Sequence, residues 1–183
     1  VFLGLLLATP SLWAQQLDPN PGTSRSTGKI AEGTEWETDY FIVDSGLEGA
    51  TVLVVGGMHG NEPAGSRAAE QIQHWPIVRG KLVIIARANV LALDAKSRLT
   101  PNQPEEAGNL NRNVPQAEQE GGSMRASPRG ELAAALWAFA VKARPNWILD
   151  LHEGYDFNRS HQPLEGRKKS VGSSLIYRGG EKM

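Results

Sequence analysis

The stretch VVGGMHGNEPAG, residues 54–65, sets a histidine and a glutamate at H-x-x-E spacing, His59 and Glu62, directly after an apolar, β-branched run. A catalytic zinc commonly takes three protein ligands from His and carboxylate and leaves its fourth position to water. A third ligand type, His152, closes the run NWILDLH at residues 146–152, so two histidines and one glutamate meet that count. Taken alone, HGNE fits a Gly-Asn turn with solvated polar neighbours as well as it fits a metal site. His152 alone fits a strand-end histidine with an ordinary hydrogen-bond partner. Together, each following an apolar run, they favour a metal. Glycines 56, 57 and 60 would let the backbone turn sharply enough to bring His59 and Glu62 to one point.

The chain contains no cysteine, which excludes disulfides and thiolate sites and leaves His, Asp and Glu as the ligands on offer. Only four histidines exist, His59, His74, His152 and His161. His74 precedes Trp75-Pro76 near an expected helix end and reads as structural, and His161 as part of a solvated loop. Asp150, two residues before His152, would share its face on a regular strand. It could orient that histidine, since metal-bound imidazoles usually donate their second N–H to a carboxylate or carbonyl; an ordinary strand-end carboxylate fits equally. A further candidate lies in NLNRNVP, residues 109–115. There Arg112 offers a planar fork that binds a carboxylate through two hydrogen bonds, with Asn111 beside it as another donor. An Asn-Arg pair by itself also fits a surface turn.

These residues need a scaffold that brings together positions nearly a hundred residues apart. TDYFIVD (38–44) reads as a strand, and TVLVV (51–55), KLVIIA (81–86) and NWILDLH (146–152) as strands buried on both faces. SLIYR (174–178) is a possible further strand. A helix is expected over 63–75, opened by Pro63, with Ala64, Ala68, Ile72 and Trp75 on one stripe. Another is expected over 128–143, with Ser127 as N-cap and Leu132, Leu136, Phe139 and Ala140 as its apolar face. Residues 101–129 show no periodic element. Apolar strands alternating with helices predict an α/β fold, three layers α/β/α around a mostly parallel, mixed sheet. In such sheets ligands sit beyond the carboxyl ends of the strands, where both His59 and His152 would fall.

The composition permits this. A chain of 183 residues with 40% hydrophobic and 21% charged residues can bury one sizeable core, and a net charge of −1 gives no nucleic-acid footprint. Residues 1–14, apolar up to Ala8 and broken at Pro10, resemble the hydrophobic and cleavage regions of a secretory signal that lacks its start, and are too short to span a bilayer. This predicts export, to the periplasm or beyond, with no stable membrane span. The polar, Pro- and Gly-containing residues 15–28 read as a linker, and the catalytic domain is expected over 29–183.

In this order, GGMHGNE, NLNRNVP and DLHEG resemble the succinylglutamate desuccinylase/aspartoacylase family, a branch of the zinc carboxypeptidase superfamily, over about residues 50–155. The resemblance implies one Zn2+ per chain on His59, Glu62 and His152. It implies Asn111 and Arg112 as binders of the substrate carboxylate, and Arg98, in SRLTP, as the arginine that polarises the scissile carbonyl. It places the general-base glutamate well downstream of the third ligand, expected beyond residue 183, so that the C-terminal part of the domain is expected to be missing. Glu153 is a poor substitute if the strand continues through it, and Glu165 stays open. Val114 stands where the family often has an aromatic residue. The implied activity is hydrolysis of an amide next to a free carboxylate, in an N-acyl amino acid or in a short peptide with a free C-terminus. The alternative is a zinc- or ligand-binding domain without the base.

Overall fold

The computed structural model describes residues 22–115 and 127–153. Among them five strands form one sheet: β1 (Ser24–Ile30), β2 (Thr38–Asp44), β3 (Thr51–Gly56), β4 (Lys81–Ile85) and β5 (Trp147–Leu151). Their order is β1-β2-β4-β3-β5. β3 runs parallel to both β4 and β5, whereas β2 is antiparallel to β4 and β1 to β2. The sheet is mixed as expected, and its parallel half carries the candidate site. The helices are α1 (Pro63–Ile72), α2 (Val90–Asp94), α3 (Glu105–Gly108) and α4 (Glu131–Ala143).

β3 and β4 are continuous apolar runs because both of their faces are covered. Leu53, Val83 and Ile85 pack with Leu132 and Leu136 of α4, while Val54 and Ile84 pack with Val43 and Ala69 of α1. Alternate side chains of a strand point to opposite faces, so this division puts α4 on one side of the sheet and α1 on the other. Each Val, Leu or Ile among them contributes about 1.5–3 kcal/mol by leaving water. The indole Nε1–H of Trp36 donates to Glu131 Oε2 at 2.9 Å, which ties the start of α4 to the β1–β2 connection.

Several sequence expectations are corrected. The linker expected over 15–28 has already entered the sheet at Ser24: β1 pairs along its whole length with β2, and backbone pairing compensates for its lack of apolar residues. Helix α1 stops at Ile72, and the residues it buries are Gly65, Ser66 and Ala69; Ala64 and Ala68 are exposed and Trp75 lies beyond its end. The helix lies so close to the sheet that small residues face it, which shifts the buried stripe by one position. α4 begins at Glu131 behind Gly130, not behind Ser127, and it buries Leu132 and Leu136 as expected. The region from 101 contains α3 and one 3-10 turn, Leu110–Arg112, both too short for a periodic pattern to show. β5 is a strand, but Trp147, Ile148 and Leu149 are exposed. Among the described residues it pairs only with β3, and α1 reaches it as the one helix with several contacts. The expected strand at 174–178 lies outside the described residues, as do His161, Glu165 and the N-terminal apolar segment.

The loop after β3 is held in a fixed shape. Gly57 has φ of 75°, a left-handed conformation suited to glycine. Gly60 lies against α2: its N–H donates to Ser97 O at 2.8 Å, and a Cβ at this position would sit 1.7 Å from Ala92 O. A methyl group there must displace the loop or the helix. Gly60→Ala is therefore expected to lower stability by roughly 1–3 kcal/mol, read as a lower urea midpoint at unchanged slope; a midpoint equal to the parent's would show that the loop is not wedged against α2.

Candidate metal centre

The register of the parallel strands brings the histidines together. Val55 pairs with Asp150 and Gly56 with Leu151, so β3 and β5 end side by side. His59 leaves one strand and His152 the other at the same sheet edge, and their ring centroids are 5.0 Å apart. Glu62, at the N-cap of α1, points between them. Nδ1 of His59 lies 2.9 Å from Glu62 Oε1, and Nδ1 of His152 lies 2.7 Å from Glu62 Oε2. One donor atom from each of the three residues falls within 4.8 Å of the others.

Each imidazole is oriented through its second nitrogen. Nε2 of His152 lies 2.9 Å from Asp150 Oδ2, and Nε2 of His59 lies 3.2 Å from Asn109 Oδ1. When Nε2–H donates to these oxygens, both Nδ1 atoms are left facing Glu62, the arrangement that supporting groups impose on metal-bound histidines. Asp150 thus stands where the alternation of β5 places it. Asn109 was not singled out from the sequence, because an asparagine at the start of a short turn carries no pattern of its own.

The electrostatics concentrate charge on Glu62. Burial alone pushes its carboxyl up, but hydrogen bonds from His152, His59 and Arg98 outweigh burial and hold it below the usual carboxylate range. His152 is pushed up to about 9, chiefly by its hydrogen bond to Asp150; burial opposes the rise and Glu62 adds to it. Two imidazole nitrogens and a carboxylate, with no thiolate and with both rings oriented from behind, form a donor set that fits zinc.

Arg98 reaches the same point. Its Nη1 lies 2.5 Å from Glu62 Oε1. A buried polar chain fixes the loop that carries it: Asn89 Nδ2 donates to Thr100 Oγ1 at 2.8 Å, and the Thr100 hydroxyl donates to Gly108 O at 3.1 Å. That chain joins the Arg98 loop to the segment that supplies Asn109. Arg112 is exposed two residues past Leu110, and its guanidinium contacts the carbonyl of Asn111 at 3.4 Å. Val114 packs against the core on the α4 side. His74 is exposed just past α1, away from this cluster of donors. Glu153 turns to the first turn of α1, where its Oε2 accepts the Ala64 N–H at 3.0 Å.

The catalytic-domain profile of the succinylglutamate desuccinylases and aspartoacylases matches residues 48–167. The chain belongs to this family. Its members are amide hydrolases acting on small acylated amino acids, typically with zinc, and the fold is zinc carboxypeptidase-like. No curated protein matches the chain. Among solved structures, an aspartoacylase family protein of Mesorhizobium loti is 29% identical, with a TM-score of 0.53 over 73% of this chain and 41% of its own. A succinylglutamate desuccinylase/aspartoacylase of Rhodobacter sphaeroides is 23% identical, with a TM-score of 0.51 over 70% of this chain and 39% of its own. The ectoine utilization protein EutE (DoeB) of Ruegeria pomeroyi, solved with product bound, is 21% identical, with a TM-score of 0.53 over 75% and 41%. The last two show the fold alone. The chain thus spans about two fifths of the length of these structures.

The pairing of His152 has a pH signature in the metal-free protein. Its value in the folded state, about 9, lies above the ordinary 6.5. The stabilisation it supplies is therefore complete below pH 6.5 and is lost as pH rises through 9. After treatment with a chelator, the urea midpoint is expected to fall across this window in the parent and to fall less in His152→Ala. Equal slopes in the two proteins would show that the His152–Glu62–Asp150 contacts do not form.

Proposed function

We propose that the protein is a zinc-dependent hydrolase that cleaves an amide bond next to a free carboxylate, of the N-acyl amino acid deacylase or metallocarboxypeptidase type. The observation that carries this reading is the convergence of His59, Glu62 and His152 at one sheet edge, with Arg98 in contact with the same carboxylate. His59 Nδ1, a Glu62 oxygen and His152 Nδ1 would hold the ion. When bound, zinc supplies Lewis acidity toward a carbonyl and lowers the pKa of a coordinated water.

The chain's own residues account for the remaining roles. Asp150 and Asn109 hold the two imidazoles in the tautomer that leaves Nδ1 free. Arg98 carries a fixed positive charge beside the centre and stabilises negative charge that develops on the scissile carbonyl oxygen, which requires a donor already in place before the reaction. Arg112, exposed and in contact only with its neighbour's carbonyl among the described residues, receives the substrate carboxylate as a fork, with the Asn111 amide beside it. A general base to take a proton from water is assigned to a glutamate outside the described residues. The apolar N-terminal stretch supports an exported protein, periplasmic or secreted.

The reading is tested on the full-length protein by zinc content and by hydrolysis of N-acyl amino acids and C-terminally free peptides, before and after chelation. About one zinc per chain and activity lost with it are expected. Zinc without turnover on either class would favour a binding module, and absence of zinc would sink the metal centre. For the anchor, Arg112→Ala is expected to reduce kcat/KM on a carboxylate-bearing substrate by the equivalent of roughly 1.5–3 kcal/mol, the worth of hydrogen bonds to a charged group. The neutral amide of the same substrate should be little affected, and Arg112→Lys should recover only part of the loss. Equal losses on both substrates would remove Arg112 from the role of anchor, as would loss of the zinc.

A further inference from the structure

The first turn of a helix leaves backbone N–H groups without partners, and the N-cap side chain is the usual acceptor. In α1 the N-cap is Glu62, and Glu62 makes no capping hydrogen bond; the first turn holds no acidic residue either. Its oxygens are committed instead to His59, Arg98 and His152. One carboxylate cannot both face the metal centre and turn back to its own helix.

The acceptor comes from a remote part of the chain. Glu153 Oε2 accepts the Ala64 N–H at 3.0 Å across a separation of 89 residues. In return, the backbone N–H of Glu153 points to Glu62 Oε2 at 3.4 Å. These two contacts run in opposite directions between the same segments and flank the contact of His152 with Glu62. On a continuing strand, Glu153 would face away from His152. β5 ends at Leu151, and beyond it the side chain turns to the helix. A carboxylate there also meets the positive end of the helix dipole.

We propose that Glu153 is a positioning residue: it caps α1 in place of Glu62 and thereby fixes the distance between Glu62 and His152. Its consequence for zinc rests on the metal-centre reading above; the cap itself does not. The carboxylate works here as an acceptor, so Gln should replace it where Ala cannot.

The test uses the full-length protein with Glu153→Ala and Glu153→Gln. Amide hydrogen exchange at Ala64 is followed in chelator-treated protein, and zinc affinity is measured by competition with a chelating dye. In Glu153→Ala, exchange at Ala64 is expected to speed up by roughly 2- to 30-fold and zinc affinity to fall by roughly 10- to 100-fold. Glu153→Gln should stay near the parent in both. Unchanged exchange in Glu153→Ala would overturn the proposal. So would a Glu153→Gln protein that loses Ala64 protection and zinc affinity as far as Glu153→Ala does, since a neutral acceptor oxygen is enough to cap the helix. If the parent bound no zinc while Ala64 still responded to Glu153→Ala, the cap would stand and the metal reading would fail.

Discussion

Glu62 is a carboxylate only 5% exposed, placed where a helix begins and a strand-loop ends. A charge in that position is costly unless it is surrounded by donors, and removing one partner from a buried pair typically costs about 3–5 kcal/mol. Four polar groups meet it: His59 Nδ1 and the Arg98 guanidinium at one oxygen, His152 Nδ1 and the backbone N–H of Glu153 at the other. They come from the loop after β3, the segment after α2 and the end of β5. The chain cannot bury Glu62 without bringing these segments together, and it cannot bring them together with a different register between β3 and β5.

That register rests on packing some distance from the site. Val54 and Ile84 on the α1 side, and Leu53, Val83 and Ile85 on the α4 side, hold β3 and β4 at the centre of the sheet. Interiors packed this tightly transmit small displacements, since they contain few voids to absorb them. A shift of α1 against the sheet would carry Glu62 with it, and the small buried residues Gly65, Ser66 and Ala69 set how close the helix lies. The polar chain Asn89–Thr100–Gly108 does the equivalent work for Arg98 and Asn109. Hydrophobic burial positions His59, Glu62 and His152, and a buried hydrogen-bond chain positions the residues around them.

The parts of this arrangement that were legible in the sequence are those with a period or a chemical type. β3 and β4 announce themselves as unbroken apolar runs; His59 and His152 stand out because histidine is scarce and each follows an apolar run, and Glu62 by its H-x-x-E spacing from His59. Residues 24–28 of β1 read as the end of a linker because SRSTG has no large apolar residue; they belong to a strand because β2 offers β1 a full ladder of backbone partners, and composition carries no trace of that. The buried stripe of α1 was misplaced by one residue, since small side chains on a closely packed helix give little hydrophobic contrast. Asn109 and Glu153 were illegible as parts of the site for a different reason. Their roles depend on contacts 50 and 91 residues away, and neither residue type announces such a partner.

The two histidines are supported unequally. His59 is almost fully buried and faces a neutral amide, Asn109; it sits on a loop wedged against α2. His152 is partly exposed, faces the carboxylate of Asp150, and follows a strand whose Trp147, Ile148 and Leu149 are exposed. Burial therefore adds to the polar contacts that hold the first in place, whereas the second relies mainly on its polar contacts. A carboxylate behind an imidazole strengthens it as a base, which favours the proton in the metal-free state and the metal ion once the proton has left. Rigidity on the His59 side and charge on the His152 side are two routes to the same end, an Nδ1 directed at Glu62. The division follows from topology: β3 lies inside the sheet, whereas β5 pairs with β3 alone among the described strands and packs only its last residue, Leu151, against the core, so that His152 beyond it depends on hydrogen bonds.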